Sequence, residues 1–577
     1  MEKSAEIRTS SDEPAREVIA STSTSETPYA GPALPRWRFT CLCIGLSISL
    51  FMSLLDTTII ATALFTIGKD LRATSSVNWV ALSYTLSYLG CAVIFARISD
   101  IIGRRNAYMS AVLIFLAFSL GCGFAKTIDQ LIALRVLQGV GGSGLYSLTF
   151  VMLPEITPFN LTHIISSIAG MVVAMAGILG PLVGGLITDA PLGVVSVALF
   201  LLAWPGTDTT YMRHAQRRSW KQLDILGAIL IIAASVLVVF AFQEAGLHPS
   251  NWKSALFIAP LLLGLLCYVL LYGWEVLVSK RWEERFATMF PLRLIHRRVY
   301  MGYVLVTLIA GFPYFMIIYS LPTRIQVVNG KSQLIAGLSL LPMVGTVAIA
   351  STVAGVINTK RNLIFPILLA SAIFSTIGAA TLSTLENVEN VEAKIYGFQV
   401  FIGLGFGLMV STTSIGGMLE CQFRDNTVAQ GIIAQVRVLG GSIGIAASTA
   451  ILGVNEHRSL SNMVTSQQLA TLQDSLPHMT PEQVHAVKQA YSDAFAESMK
   501  VCAALGGMGV LASLVCWRRN PVEFNVRRKE QIEEDRVRRE GESGDRGCEW
   551  EWCGEGGAGR EESLNLFCDT HFIVFKK

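Results

Sequence analysis

Fourteen apolar segments recur along this chain. They lie near 39–65, 78–96, 107–125, 130–153, 163–188, 191–206, 223–243, 254–278, 299–320, 334–357, 363–384, 395–418, 427–453 and 494–517, and all but 191–206 are 19 to 27 residues long. Roughly 20 apolar residues in a helix cross about 30 Å of hydrocarbon. Inside lipid only helices and closed barrels satisfy every backbone polar group, and barrel strands would read as alternating segments of about ten residues. The pattern predicts an all-α polytopic membrane protein with 14 transmembrane helices and both termini on one side. Charge agrees, since residues 36–517 carry only 52 of the chain's 87 charged side chains. That is about one residue in nine, where a soluble domain has about one in four. A multidomain cytosolic enzyme, a secreted disulfide scaffold and a nucleic-acid binder are excluded, and a net charge of +3 gives no hint of a nucleic-acid partner.

Lys and Arg in the connecting loops set the orientation. With a cytoplasmic N-terminus, inner loops hold sixteen of them, clustered, against nine outside, so both ends are expected inside. No cleavable signal peptide is expected, and the sequon Asn160-Leu161-Thr162 falls in a cytoplasmic loop. Residues 1–35 and 518–577 read as disordered cytoplasmic tails. Residues 36–206 would form a first six-helix bundle. Residues 207–298 would hold two inserted helices and a basic, apolar linker (279–298), expected to lie on the inner membrane surface as an amphipathic helix. Residues 299–517 would form a second six-helix bundle, with an external loop at 454–493.

Two signatures of soluble enzymes fail their context. Gly139, Gly141 and Gly144 fit G-x-G-x-x-G but sit inside an apolar span, where small residues let helices approach closely. Gly330-Lys331-Ser332 resembles the end of a phosphate loop, but position 325 is Ile. No nucleotide-hydrolysing domain, cofactor or metal is expected. Cys91, Cys122, Cys267, Cys502 and Cys516 lie in apolar runs, and Cys548 and Cys553 have no His nearby. The eight His residues all lie at loops or span ends, which argues against a membrane-embedded enzyme.

Charges inside or beside the spans carry the chemistry. In ARISDIIGRRN (96–106), Asp100 can bond to Arg104 and Arg105, and Gly103 permits a tight turn. The group reads as a latch between helix bundles or as a positive-inside anchor. In span four, Arg135 and Gln138 lie one turn apart on one face, and Asp56 sits near the middle of span one. A charge within a span is costly and faces a partner or a watery cavity. Asp56 and Arg135 thus read as a protonatable acid and the positive charge that tunes it, or as a structural ion pair. In GILGPLVGG (177–185), Gly180-Pro181 breaks the backbone ladder and Gly184 and Gly185 thin the helix, a packing device or a bend. Arg437 lies about 18 Å beyond Asp425 along span thirteen and is a candidate for a central cavity.

Taken in order, these residues resemble the major facilitator superfamily, and within it the fungal-type fourteen-span drug:proton antiporters, a group of toxin and multidrug efflux pumps. Asp100, Gly103, Arg104 and Arg105 match its cytoplasmic loop motif, which departs at Ala96 and Ile101. Leu131, Arg135, Gln138, Gly139 and Gly141 match its proton-transfer motif. Gly180, Pro181, Gly184 and Gly185 match the core of the antiporter motif, and Asp56-Thr57-Thr58-Ile59 resembles the span-one motif. One departure stands out: the connection from Gly185 to Pro191-Leu192-Gly193 is about 15 residues shorter than in similar proteins and leaves span six 16 residues long.

The resemblance implies the major facilitator fold, two six-helix bundles of inverted three-helix repeats with spans seven and eight inserted between them. It implies alternating access around a site near the bilayer midplane, and proton-coupled export of a lipophilic toxin, secondary metabolite or drug. Asp56, Arg135 and Gln138 would couple the proton, and Phe312, Tyr314 and Phe315 could hold apolar substrate. The partners implied are a small-molecule substrate, protons and the lipid bilayer, with the plasma membrane expected ahead of vacuolar or vesicle membranes. Alternatives are uptake or vacuolar transport of an iron chelate or basic amino acid, or a non-transporting sensor of the same fold.

Overall fold

Every long apolar run within the described residues of the computed structural model is helical, and no strand forms there. The structure describes residues 35–71, 78–157, 189–204, 220–247, 252–282, 288–386, 391–422, 425–460, 479–519 and 521–524, with isolated positions between 161 and 179, at 286 and 463, and from 526 to 537. Among the described residues, thirteen helices of fifteen residues or more run in order: α1 (Arg36–Asp70), α2 (Asn78–Ile102), α3 (Arg104–Gly123), α4 (Ile128–Ile156), α5 (Asp189–Ala203), α6 (Ile225–Leu247), α7 (Ala255–Arg281), α8 (Arg298–Val327), α9 (Leu341–Lys360), α10 (Ile364–Leu382), α11 (Lys394–Glu420), α12 (Asn426–Leu460) and α13 (Pro481–Leu514).

Twelve helices among the described residues are long and apolar enough to cross a membrane. They account for twelve of the fourteen expected spans. The fifteen residues of α5 reach only about 22 Å, so this shorter apolar helix stands outside those twelve. Most of the expected span 163–188 lies outside the described residues, and so do the N-terminal tail and most of the C-terminal tail.

Hydroxyls on these helices bond back to their own turns. Ser47, Thr149 and Thr307 donate to carbonyls four residues earlier, which satisfies them where water is excluded.

Two apolar cores organise the helices. One gathers α1 to α5, with Leu42, Leu46, Tyr108, Phe115 and Phe200 fully buried. Here α4 lies against α2 and α3 through its small residues. A Cβ added to Gly139 would stand 2.5 Å from the Tyr84 carbonyl oxygen, and one at Gly141 would stand 2.5 Å from the Phe115 nitrogen. Short α5 is held on α1 and α3: Ser196 Oγ lies 2.6 Å from Ser49 Oγ, and Phe200 stacks 4.3 Å from Tyr108.

The second core gathers α8 to α13, including Met316, Ile317, Phe406, Met499 and Cys502. Phe312, Tyr314 and Phe315 belong to it. Tyr314 stacks on Phe406 at 3.7 Å with planes 2° apart, so these aromatics help to build the second bundle's core.

Helices α6 and α7 pack on each other, and α6 also packs on α2 and α12. The linker that follows corrects an expectation. It is not a continuous amphipathic helix: α7 ends at Arg281, and beyond it the linker's only helix among the described residues is the single turn Leu292–Ile295, capped by Pro291. Proline removes a backbone donor and disfavours helix in the residue before it. Met289 and Leu294 are instead buried with Val93 of α2, Leu271 of α7 and Ile432 of α12. Polar contacts hold this segment, with Arg97 donating to the Thr288 carbonyl and the Phe290 amide to Glu275 at 2.8 Å.

Helices α12 and α13 run past the expected edges of the loop at 454–493, to Leu460 and from Pro481. Thr480 and Gln483 form a reciprocal capping box at the start of α13. Among the described residues from Val526 on, Arg527 pairs with Glu530 at 3.0 Å and Glu534 at 3.2 Å.

Candidate functional site

Arg135 and Gln138 share one face of α4 because three residues advance a helix nearly one turn. Both point at Asp56 of α1. Arg135 Nη1 donates to the two Asp56 carboxylate oxygens at 2.9 and 2.8 Å and to Gln138 Oε1 at 2.8 Å. Gln138 Nε2 donates to Asp56 Oδ1 at 3.1 Å. Asp56 and Arg135 are 6% and 2% exposed, so the pair is desolvated and its charges compensate each other. The structure thus unites three residues that the sequence places on two helices.

A cavity of about 400 Å³ reaches this pair, lined by Asp56, Ile67, Leu71, Ser119, Cys122, Ala125, Leu131, Arg135 and Gln138. Ile67 and Leu71 mark its far end, at the close of α1, which the loop charges assign to the outer side.

The second cluster lies at the opposite ends of the helices. Gly103, at φ 89°, takes a left-handed conformation that β-carbon-bearing residues rarely adopt, and so turns α2 into α3. Arg104 then follows directly and reaches three elements. Its Nη1 donates to Asp100 Oδ1 at 2.7 Å, its Nε and Nη2 to the Glu155 carboxylate at 3.0 and 2.9 Å, and Nη2 also to Thr427 Oγ1 at 2.6 Å. Asp100 is on α2, Glu155 on α4 and Thr427 in the first turn of α12, so one guanidinium joins the two bundles. Arg105 is exposed and takes no part. Glu155 and Thr427 are the partners that sequence reading missed, since nothing local connects position 104 to position 427.

Arg437 occupies a third position, three turns into α12. It is 3% exposed, its Nη1 donates to the Tyr146 hydroxyl at 3.3 Å, and its guanidinium lies 5.0 Å from the Phe150 ring centre. Tyr146 and Phe150 are on α4, so this contact too spans the bundles.

Between the first and third positions runs an aromatic ladder. Arg135 lies 4.4 Å over Tyr84; Tyr84 stacks on Tyr88 at 5.6 Å; Tyr88 meets Tyr146 at 5.7 Å, and Tyr146 meets Phe150 at 5.0 Å. Tyr84/Tyr88 and Tyr146/Phe150 are i, i+4 pairs. That spacing was the available signal. The remaining predicted site residues, Gly180, Pro181, Gly184 and Gly185, lie outside the described residues.

Comparison with known proteins agrees with this frame. Residues 46–445 match the family model of the Major Facilitator Superfamily. The chain is 30% identical over 508 residues to the MFS-type transporter FPY5 of Fusarium mangiferae, covering 84% of each chain. It is 27% identical over 517 residues to the efflux pump roqT of Penicillium rubens, covering 85% of this chain and 93% of that one. Among solved structures, it resembles a bacterial homolog of the human lysosomal transporter Spinster in an inward-facing, unoccupied conformation. There the TM-score is 0.50 at 14% identity, over 86% of this chain and 100% of the other, a likeness of fold.

Proposed function

This chain belongs to the Major Facilitator Superfamily and is an integral membrane transporter, and on that footing we propose that it exports lipophilic small molecules in exchange for protons. The observation that carries the reading is the Asp56–Arg135–Gln138 cluster facing a cavity that extends to the expected outer ends of α1 and α3. A carboxylate buried within a membrane, beside a cavity and neutralised by one arginine, is suited to take up a proton. Protonation removes the charge that holds Arg135, and the loosened guanidinium favours the opposite-facing conformation.

The Arg104 cluster supports the same cycle. It ties α12 to α2 and α4 at the expected cytoplasmic ends while the Asp56 cavity extends the other way. Breaking that tie would let the bundles part inward, admit substrate and release the proton, in the manner of a rocking transporter. The name of one relative, the efflux pump roqT, agrees with export. For an exporter we favour the plasma membrane.

The test is dye retention in pump-deficient yeast expressing the full chain, using neutral, cationic and anionic fluorescent dyes with and without a protonophore. Lower retention of at least one dye, restored by the protonophore and abolished by Asp56→Asn, is the expected result. Unchanged retention of all of them, with the protein confirmed in the plasma membrane, would overturn it.

A further inference from the structure

Arg437 differs from the other buried arginines within helices α1 to α13 and from the half-buried Arg104. Arg135 is paired with Asp56, and Arg104 with Asp100 and Glu155. Arg97 and Arg324 each donate to a backbone carbonyl, of Thr288 and Glu386, and Arg97 also lies 3.7 Å from Asp100. Arg437, 3% exposed and about a third of the way along α12, has no carboxylate or carbonyl acceptor among the described residues. Its one hydrogen bond there is to the neutral hydroxyl of Tyr146, while its Nε and Nη2 are buried without a partner. A guanidinium cannot shed its proton to relieve this, and a desolvated cation without a counter-charge is strongly unfavourable. A ligand that supplied the missing anion at this bundle interface would relieve that cost.

The surroundings specify what else that ligand carries. Phe150 lies under the guanidinium, and Tyr146 and Tyr88 continue from it as a connected aromatic surface at centre distances of 5.0 and 5.7 Å. These rings are on α4 and α2, whereas Arg437 is on α12, so parting the bundles would open a slot with a cation on one wall and aromatic faces on the other. Planar rings stack on such faces, and a carboxylate or phenolate beside them would take the Nε and Nη2 donors in charge-assisted hydrogen bonds.

We propose that Arg437, Tyr146, Phe150 and Tyr88 form the substrate site, and that its substrate is an acidic aromatic compound, a planar ring system bearing a carboxylate or an ionised phenol. This deepens the export reading by naming its substrate class. Arg437 anchors the acidic group, and Tyr146 gives up its hydrogen bond from Arg437 on binding. The ladder from Tyr146 through Tyr88 and Tyr84 places the site in contiguous packing with Arg135 and Asp56.

Binding without any gradient tests this independently of transport. Fluorescein and rhodamine 6G share a xanthene skeleton and carry opposite charge. Anisotropy titrations of both dyes with the purified full-length protein in detergent should give a fluorescein affinity at least tenfold above that of rhodamine 6G. Arg437→Gln should weaken fluorescein roughly tenfold or more while leaving rhodamine 6G within about twofold. Arg437→Lys should recover part of the loss, and Tyr146→Phe, which frees the guanidinium, should hold or raise fluorescein affinity. Unaltered melting temperatures of the variants show that they are folded; should Arg437→Gln melt early, Arg437→Lys and Tyr146→Phe carry the comparison. Equal affinities for the two dyes, or an equal loss of both in Arg437→Gln, overturns the proposal. If fluorescein binds as expected but a pH gradient never moves it in liposomes, the coupled-export reading fails and the site assignment stands.

Discussion

Replacing Thr427 by Val separates the clamp between the bundles from the charge cluster that supports it. Thr427 Oγ1 accepts from Arg104 Nη2 at 2.6 Å, and Thr427 is 3% exposed. Valine keeps nearly the same volume and deletes only the acceptor. Arg104 retains Asp100 at 2.7 Å and the Glu155 carboxylate at 2.9 and 3.0 Å, so α2, α3 and α4 stay joined. A buried hydrogen bond to a charged donor contributes about 1.5–3 kcal/mol. At 1.36 kcal/mol per factor of ten, its loss should move the equilibrium between inner-closed and inner-open forms by about 10- to 150-fold toward open. Spin labels at Arg105, in the first turn of α3, and Arg361, just past the last turn of α9, both exposed and both on the expected cytoplasmic side, report this as a distance distribution by pulsed electron resonance in a cysteine-free background. A population of longer distances should grow in Thr427→Val by that factor. A change under about twofold would mean that the Arg104–Thr427 contact does not hold the bundles together.

Three further outcomes follow from the packing. In Gly141→Ala the new Cβ would stand 2.5 Å from the Phe115 nitrogen and 2.8 Å from its Cα; the clash is with backbone, so α3 and α4 must separate and the melting temperature should fall by an amount equivalent to about 1–3 kcal/mol. Gly273→Ala is the control, because nothing lies within 4 Å of its added Cβ and alanine is the better helix former by about 0.5–1 kcal/mol; its melting temperature should hold or rise. Leu294→Ala removes a 1% exposed side chain from the cluster under the linker, which should cost about 2–5 kcal/mol and make the linker more susceptible to proteolysis at 282–298.

What the sequence made legible, and what it did not, divides along physical lines. Hydropathy reads contact with lipid, so it located α1 to α4 and α6 to α13, and it located Asp56, Arg135 and Arg437 as charges where charge is expensive. It says little about where a helix stops once it leaves the membrane, and the ends of α12 and α13 at Leu460 and Pro481 were missed for that reason. The linker was misread because its mixture of basic and apolar residues fits a surface helix equally well. What decides its shape is Pro291, together with burial of Met289 and Leu294 between elements distant in sequence. The same limit hid Glu155 and Thr427 from the latch. The aromatic ladder lies between these cases. Its i, i+4 pairs are visible in the sequence, but the approach of α2 and α4 depends on Gly139 and Gly142, whose added Cβ atoms would lie 2.5 Å from the Tyr84 carbonyl oxygen and hydroxyl.

The central claim is that proton movement through Asp56 drives substrate movement, and reconstituted liposomes test it most directly. With the full chain purified into vesicles, an imposed pH gradient and fluorescein as the transported dye, both proton flux and dye flux are recorded in one experiment. The account predicts that dye accumulates against its gradient only while the pH gradient lasts, that added dye accelerates the gradient's decay, and that Asp56→Asn loses both effects while still binding dye. Gradient-independent dye movement, or an Asp56→Asn protein that couples as well as the parent, would contradict it.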